Sequence, residues 1–215
     1  FFFCFVKQLF IILERNDCMP YFFSDINKEP LKVKVSTKDI DDNKFYDIYI
    51  LIIDTKKPII SNAIKMVTDT PYNHASISFD SSLTKLYSFN LDKDGPVVED
   101  LKKTYNPEAV FSLYRLKVTG RQYINMVKVV KKVFHSNEYK FNFRGMLLST
   151  LSLTSESDTS FFCSQFVAWV LQSVGINALN KPIDKIVPYD FTKSKMLKFV
   201  YRGKVKNYSP DKIEK

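Results

Sequence analysis

Cys163 stands near the head of a segment, Phe162-Cys163-Ser164-Gln165-Phe166-Val167-Ala168-Trp169-Val170-Leu171, in which nucleophilic chemistry and a helical pattern coincide. Phe166, Val167, Val170, Leu171 and Val174 recur at i, i+1, i+4, i+5 and i+8, the spacing of one buried helical face. Gly175 is placed for a left-handed C-terminal cap and Ser160 is the N-cap candidate, so Cys163 is expected in the first helical turn. There the unpaired N–H groups and the positive end of the macrodipole favour a thiolate over a thiol. The backbone N–H of Cys163 is also a natural oxyanion donor. The chemistry this suits is attack on an acyl carbon, with an imidazole to take and return a proton and a polar group to orient the imidazole.

Only two histidines, His74 and His135, could supply that imidazole. His135 ends a Lys-rich helical stretch and reads as a surface residue complementing a helix C-terminus. His74 lies in an alternating run, 72–80, that predicts a strand with Tyr72 and His74 on one face. A turn at 80–84 sends the chain back along 85–90, where Ser88 and Asn90 alternate onto the face of His74. Asn90, ahead of Ser88, is the expected acceptor for the ring N–H. Neither bears a negative charge, so the imidazolium is less stabilised than it would be beside a carboxylate. Tyr72 is expected either in the core or lining the cleft as an oxyanion donor, and Gln165 is expected to help position substrate.

The elements that must carry these residues follow from pattern. The β-branched and aromatic run 45–53 predicts a buried central strand. Pro58 opens a short amphipathic helix through Val67. Gly95-Pro96 marks a turn. Residues 110–118 predict a strand, and Thr119 caps a helix whose stripe is Tyr123, Val127, Val130, Val133 and Phe134. The aromatic-rich stretch 139–153 is expected to be helical in part, as core or as a roof over an apolar acyl chain. Pro182 and Pro188 punctuate a connection before a final edge strand at 196–201. The fold class is α+β, a mostly antiparallel sheet packed by helices. One domain is expected over 45–208, preceded by residues 1–44 and followed by a polar tail, 209–215. Within 1–44, residues 1–13 are apolar, too short to span a bilayer, and read either as the end of a signal or anchor segment or as a packed helix. The remainder reads as a polar linker with a short strand at 31–35. The absence of an initiator Met suggests a fragment or a processed product, and leaves the location open between cytoplasm, membrane association and export.

Composition limits the alternatives. The chain has 215 residues, 45% of them hydrophobic, and only 5 glycines, with no phosphate-cradling Gly-rich motif. Its 32 Lys and Arg against 23 Asp and Glu give 32 − 23 = +9. The lysines are scattered, which argues against nucleic acid and leaves peripheral contact with an anionic membrane open. Three cysteines, Cys4, Cys18 and Cys163, make no disulfide framework, and without a CxxC spacing no metal site is expected. No cofactor is implied.

Thr-Pro-Tyr-Asn-His-Ala-Ser-Ile-Ser-Phe-Asp at 70–80, Leu-Tyr-Ser-Phe at 86–89 and Phe-Cys-Ser-Gln-Phe-Val-Ala at 162–168 together resemble a known family. The resemblance is to the circularly permuted branch of the NlpC-type papain-like cysteine hydrolases, the YiiX-like group related to lecithin-retinol acyltransferase. In that branch the histidine strand precedes the cysteine helix, as His74 precedes Cys163. The resemblance spans roughly 45–201 and implies a permuted papain-like core, with Cys163 as nucleophile and His74 as general base and acid. Relatives often carry Glu on the strand that returns from the histidine, where this chain offers Ser88 and Asn90. The expected function is a thiol hydrolase that cleaves an amide or ester through an acyl-enzyme, acting on a peptide, a cell-wall amide or a lipid acyl group. The alternative is a weak or silenced binding module of the same fold, with a lipid as its candidate ligand. A polyanion-binding protein is a third reading, marked by steep salt dependence.

Overall fold

The apolar run that opens the domain is the strand about which the sheet is ordered. The computed structural model describes residues 33–55, 71–142 and 159–213. Its strands are β1 (Phe45–Ile53), β2 (His74–Ser78), β3 (Leu86–Asn90), β4 (Gly95–Glu99), β5 (Val110–Thr119), β6 (Lys140–Phe141), β7 (Ser160–Phe161) and β8 (Lys198–Lys204). Its helices are α1 (Leu101–Thr104), α2 (Gly120–His135) and α3 (Cys163–Gln172). Six strands form one antiparallel sheet in the order β4-β3-β2-β1-β5-β8, while β6 and β7 make a small parallel pair. The expected α+β class with a mostly antiparallel sheet is thus observed.

β1 reads as a continuous apolar run because both of its faces are covered. Ile48, Ile50 and Ile52 enter a large cluster beneath α2 and α3, whereas Tyr49, Leu51 and Ile53 enter a second cluster on the opposite face. The first cluster takes Met126, Val127, Val130 and Phe134 from α2 and Phe166, Val167, Val170 and Leu171 from α3. Each such side chain, fully buried, contributes about 1.5–3 kcal/mol. The second cluster is closed by connecting segments, with Leu83, Leu101, Tyr105, Val205, Tyr208 and Ile213. Ile213 is buried in this second cluster, so the segment expected as a polar tail touches the domain at that residue.

Helix boundaries follow local chemistry. Thr119 caps α2 as expected: its hydroxyl accepts from Gln122 N–H at 3.3 Å, and the Gln122 side chain accepts from Thr119 N–H at 3.0 Å. α3 ends through Gly175 at φ +79°, with Ile176 N–H on Leu171 O at 3.0 Å and Gly175 N–H on Gln172 O at 2.9 Å. Its beginning differs from expectation. Ser160 lies in β7, the cap position is Phe162, and the Gln165 side chain accepts from Phe162 N–H at 3.3 Å.

The turn assigned to Gly95-Pro96 lies earlier, in a 3-10 turn at Leu91–Lys93 followed by Asp94 at φ +45°. Gly95 and Pro96 already belong to β4, an edge strand, where a proline removes no essential ladder bond. Gly95 has φ +156°, and a Cβ there would lie 3.0 Å from Tyr139 O, so glycine lets the chain leading into β6 approach. Of the strand expected at 31–35, the described part, 33–35, has no regular structure, though Val33 is buried. The apolar stretch 1–13, Cys4, Cys18, the helix expected from Pro58 and most of the aromatic stretch 139–153 lie outside the described residues. Among the described residues, no helix is long and apolar enough to cross a membrane.

Candidate active site

His74 begins β2, and three sets of contacts fix where it stands. Asn73 N–H donates to Ile53 O at 3.1 Å, and the Asn73 side chain exchanges hydrogen bonds with Thr55, accepting from its N–H at 2.9 Å and donating to its hydroxyl at 3.0 Å. In the β1–β2 ladder His74 is paired with Ile53, a member of the second cluster. α3 packs its apolar face into the first cluster, against β2 and β3, and presents Cys163 as its first residue. The site therefore forms where the end of the sheet meets the start of a helix, at the seam between the two cores.

Ser164 and Gln165 secure that start. Ser164 Oγ donates to Ile186 O at 2.6 Å, tying the helix to the segment before the 3-10 turn Pro188–Lys193. Asp190 holds the same segment, accepting from Val187 N–H at 2.9 Å and from Lys181 Nζ at 2.7 Å. Gln165 is buried, and its side-chain oxygen caps its own helix. That bond engages the side-chain oxygen in a local contact.

The imidazole connects two groups. Nε2 of His74 lies 3.0 Å from Oε2 of Glu99, the last residue of β4, and the Cys163 side chain is close enough to the ring to raise its pKa. With Nε2 engaged by the carboxylate, Nδ1 is the nitrogen left for the thiol. Cys163, His74 and Glu99 are 8%, 7% and 4% exposed. The same Oε2 accepts from Tyr105 OH at 2.6 Å and from Ser76 Oγ at 3.1 Å.

Burial alone would lower the pKa of His74. The Glu99 carboxylate with its hydrogen bond, and the neighbouring Cys163 side chain, outweigh that effect and raise it to about 10, so the ring is an imidazolium at neutral pH. Burial likewise opposes ionisation of Glu99, but the His74 charge and the donors His74, Tyr105 and Ser76 hold its carboxyl below the ordinary value. Burial and the Glu99 charge push Tyr105 well above the usual phenol range, which keeps it a neutral donor.

The orienting acceptor is therefore Glu99, and the expectation of Asn90 or Ser88 is corrected. Ser88 Oγ donates to Ala75 O at 2.6 Å, bracing the β2–β3 pair. Asn90 Oδ1 accepts from Asp92 N–H at 2.9 Å, shaping the turn before β4. The acid comes from one strand further along the sheet. Val97 and Val98 before Glu99 make a short β-branched run ending in a charge, and that run was the signal available for a strand there. Tyr72 is buried in the first cluster, with its hydroxyl 2.7 Å from Ser112 Oγ, so its place is in the core. His135 is the exposed last residue of α2, away from the site.

No protein-family model matches the chain, and no curated protein matches it. Among solved structures it is similar to the crystal structure of metalloprotein yiiX from Escherichia coli O157:H7, a DUF1105 protein. The TM-score is 0.52 at 18% identity, over 75% of this chain and 98% of that one. At that identity the likeness is one of fold, and it agrees with the YiiX-like fold expected from the motifs. Among the described residues, no group of three or more His, Cys, Asp or Glu side chains is placed to hold a metal ion. In the site itself the imidazole stands between thiol and carboxylate, so those groups do not converge on one point and do not fit a metal.

Proposed function

We propose that the protein is a thiol hydrolase with a circularly permuted papain-like core, in which Cys163 is the nucleophile, His74 the general base and acid, and Glu99 the orienting carboxylate. One observation carries the reading: a single buried imidazole is hydrogen-bonded to an ionised glutamate and lies beside a cysteine at a helix start. A thiolate of Cys163 attacks the carbonyl carbon of an amide or ester. The resulting oxyanion is received by the Cys163 N–H, which as the first of the helix has no intrahelical acceptor. Collapse breaks the bond to the amine or alcohol, which leaves with the proton of His74. The neutral imidazole then deprotonates a water that attacks the thioester. Release of the acid restores thiolate and imidazolium.

The substrate class is an acyl compound: a peptide, a cell-wall amide or a lipid acyl group. Exposed Met196 and Phe199, beside exposed Lys195 and Lys198, suit a lipid-like substrate at an anionic surface. The alternative of a silenced binding module had as its premise an orienting group without charge. Glu99 supplies the charge, which favours the catalytic reading.

Alkylation by iodoacetamide near neutral pH tests the site. Cys163 is expected to label faster than Cys4 and Cys18, and His74→Ala to slow it by at least about tenfold. Slow, equal labelling of all three cysteines, unchanged in His74→Ala, would overturn the proposal. A screen of peptide, wall-fragment and phospholipid substrates then assigns the acyl class, with loss of turnover in Cys163→Ala as the control.

A further inference from the structure

The strongest cluster outside the reacting groups lies behind Glu99. Asp100 follows it and caps α1, its carboxylate accepting from Lys102 and Lys103 N–H at 3.0 and 3.1 Å. Leu101 N–H donates to Leu83 O at 3.0 Å and Thr104 N–H to Asp100 O at 2.8 Å. This one-turn helix folds the chain back on itself. Tyr105, next after it, returns to Glu99 and places its hydroxyl 2.6 Å from Oε2, the oxygen that also faces His74. Ser76, two residues along β2 from His74, reaches the same oxygen at 3.1 Å. The Tyr105 and His74 rings are 6.2 Å apart, so the phenol also walls the imidazole.

We propose that Tyr105, assisted by Ser76, is a positioning residue: it holds Glu99 ionised, with one oxygen fixed toward His74, so that His74 keeps its proton on Nε2 and turns Nδ1 to Cys163. The inference rests on the reading of Cys163 and His74 as a catalytic pair, but its test reads Glu99 directly. Three donors on one carboxylate oxygen make the anion, rather than the acid, the form that satisfies the site. Without the phenol, Oε2 keeps only Ser76 and His74, and the carboxylate gains freedom to turn. Protonated Glu99 would compete with the ring for its own proton and leave the imidazole orientation undetermined.

The groups facing Glu99 are His74 and Ser76 from β2 and Tyr105 from the end of α1, while His74 additionally faces Cys163 of α3. The Glu99 titration can be followed by carboxyl-carbon NMR on the full chain. Tyr105→Phe keeps the ring and removes the donor. It is expected to raise the Glu99 midpoint by about one pH unit, with a smaller rise in Ser76→Ala. In the same variants the acid limb of the Cys163 alkylation profile moves up by the same amount, whereas a merely structural role would lower stability and leave the midpoint in place. A midpoint unchanged in both variants, each folded by circular dichroism, would overturn the proposal. Should Cys163 prove unreactive in the parent protein, the hydrolase reading falls while the Glu99 shift still reports on the clamp.

Discussion

Glu99 and Glu108 each gather more than one donor, yet they stand in opposite surroundings. Glu99 is buried and holds His74, Tyr105 and Ser76. Glu108 has a 53% exposed side chain, with Lys204 Nζ at 2.7 Å and Lys206 on its other oxygen. Both carboxyls are held below the ordinary value. For Glu108 the hydrogen bonds from Lys204 and Lys206 bring it down to about 2. For Glu99 the same direction is reached against burial, which opposes ionisation. Removing Glu108 returns two lysines to water that already solvates them. Removing Glu99 strands a buried imidazolium, a phenol and a hydroxyl with no solvent to replace the lost acceptor. Similar contact lists therefore imply different consequences, and burial decides which.

The sharpest way to break the comparison is Glu99→Ala. Breaking a buried pair by removing one partner costs about 3–5 kcal/mol, and that loss is expected in urea unfolding. Cys163 alkylation should fall with it, because the imidazole loses the group that fixes it. A loss under about 1 kcal/mol would put Glu99 in the class of a surface pair.

The pH dependence of stability gives the next largest effect. The folded pKa of His74 is raised from 6.5 to about 10, so its contribution is complete below 6.5 and is lost as pH rises through 10. At 1.36 kcal/mol per unit the span corresponds to about 5 kcal/mol at most. The folded pKa of Glu99 is lowered, so its contribution is present above 4.5 and is lost as pH falls toward the folded value. Stability should be greatest between about 4.5 and 6.5 and decline on the alkaline side toward pH 10. In His74→Ala the alkaline decline should be absent, as urea midpoints at a series of pH values would read.

The two ends of the imidazole also differ in how far they could be read from sequence. Cys163 was legible because its evidence is local: the apolar rhythm from Phe166 to Leu171 sets the helix, and the helix sets the cysteine. β1, the Thr119 cap and the Gly175 exit were legible for the same reason, since each is a short-range pattern with its own signature. Glu99 was not. It meets His74 only after two turns and two strands have stacked in order, and the strand that carries it begins with Gly95-Pro96, residues that ordinarily stop a strand. The sheet tolerates them because β4 is an edge. A carboxylate beside Asp100 also resembles a solvated strand end, and nothing local shows that Tyr105 folds back to bury it. The Ser160 cap failed differently: a good capping residue lost to β7, which pairs Ser160 with Lys140, a contact no local pattern encodes.

Glu108→Gln is the smallest expected effect and the control that gives the comparison meaning. Its folded pKa is depressed to about 2, so whatever it contributes is present above 4.5 and is lost as pH falls through 2. Because the carboxylate and both lysines meet water, mobile ions screen them, and at about 1 M salt the Debye length shrinks to roughly 3 Å. The variant should unfold only slightly more easily than the parent at low salt, and the difference should close as salt is added. Cys163 alkylation should not change at all. Glu99→Gln, measured beside it, should keep most of its deficit in salt, because no ion enters the seam where His74, Ser76 and Tyr105 converge. A deficit that vanished for both variants would mean that the Glu99 network is solvated as freely as the one at Glu108, and burial would no longer separate the two.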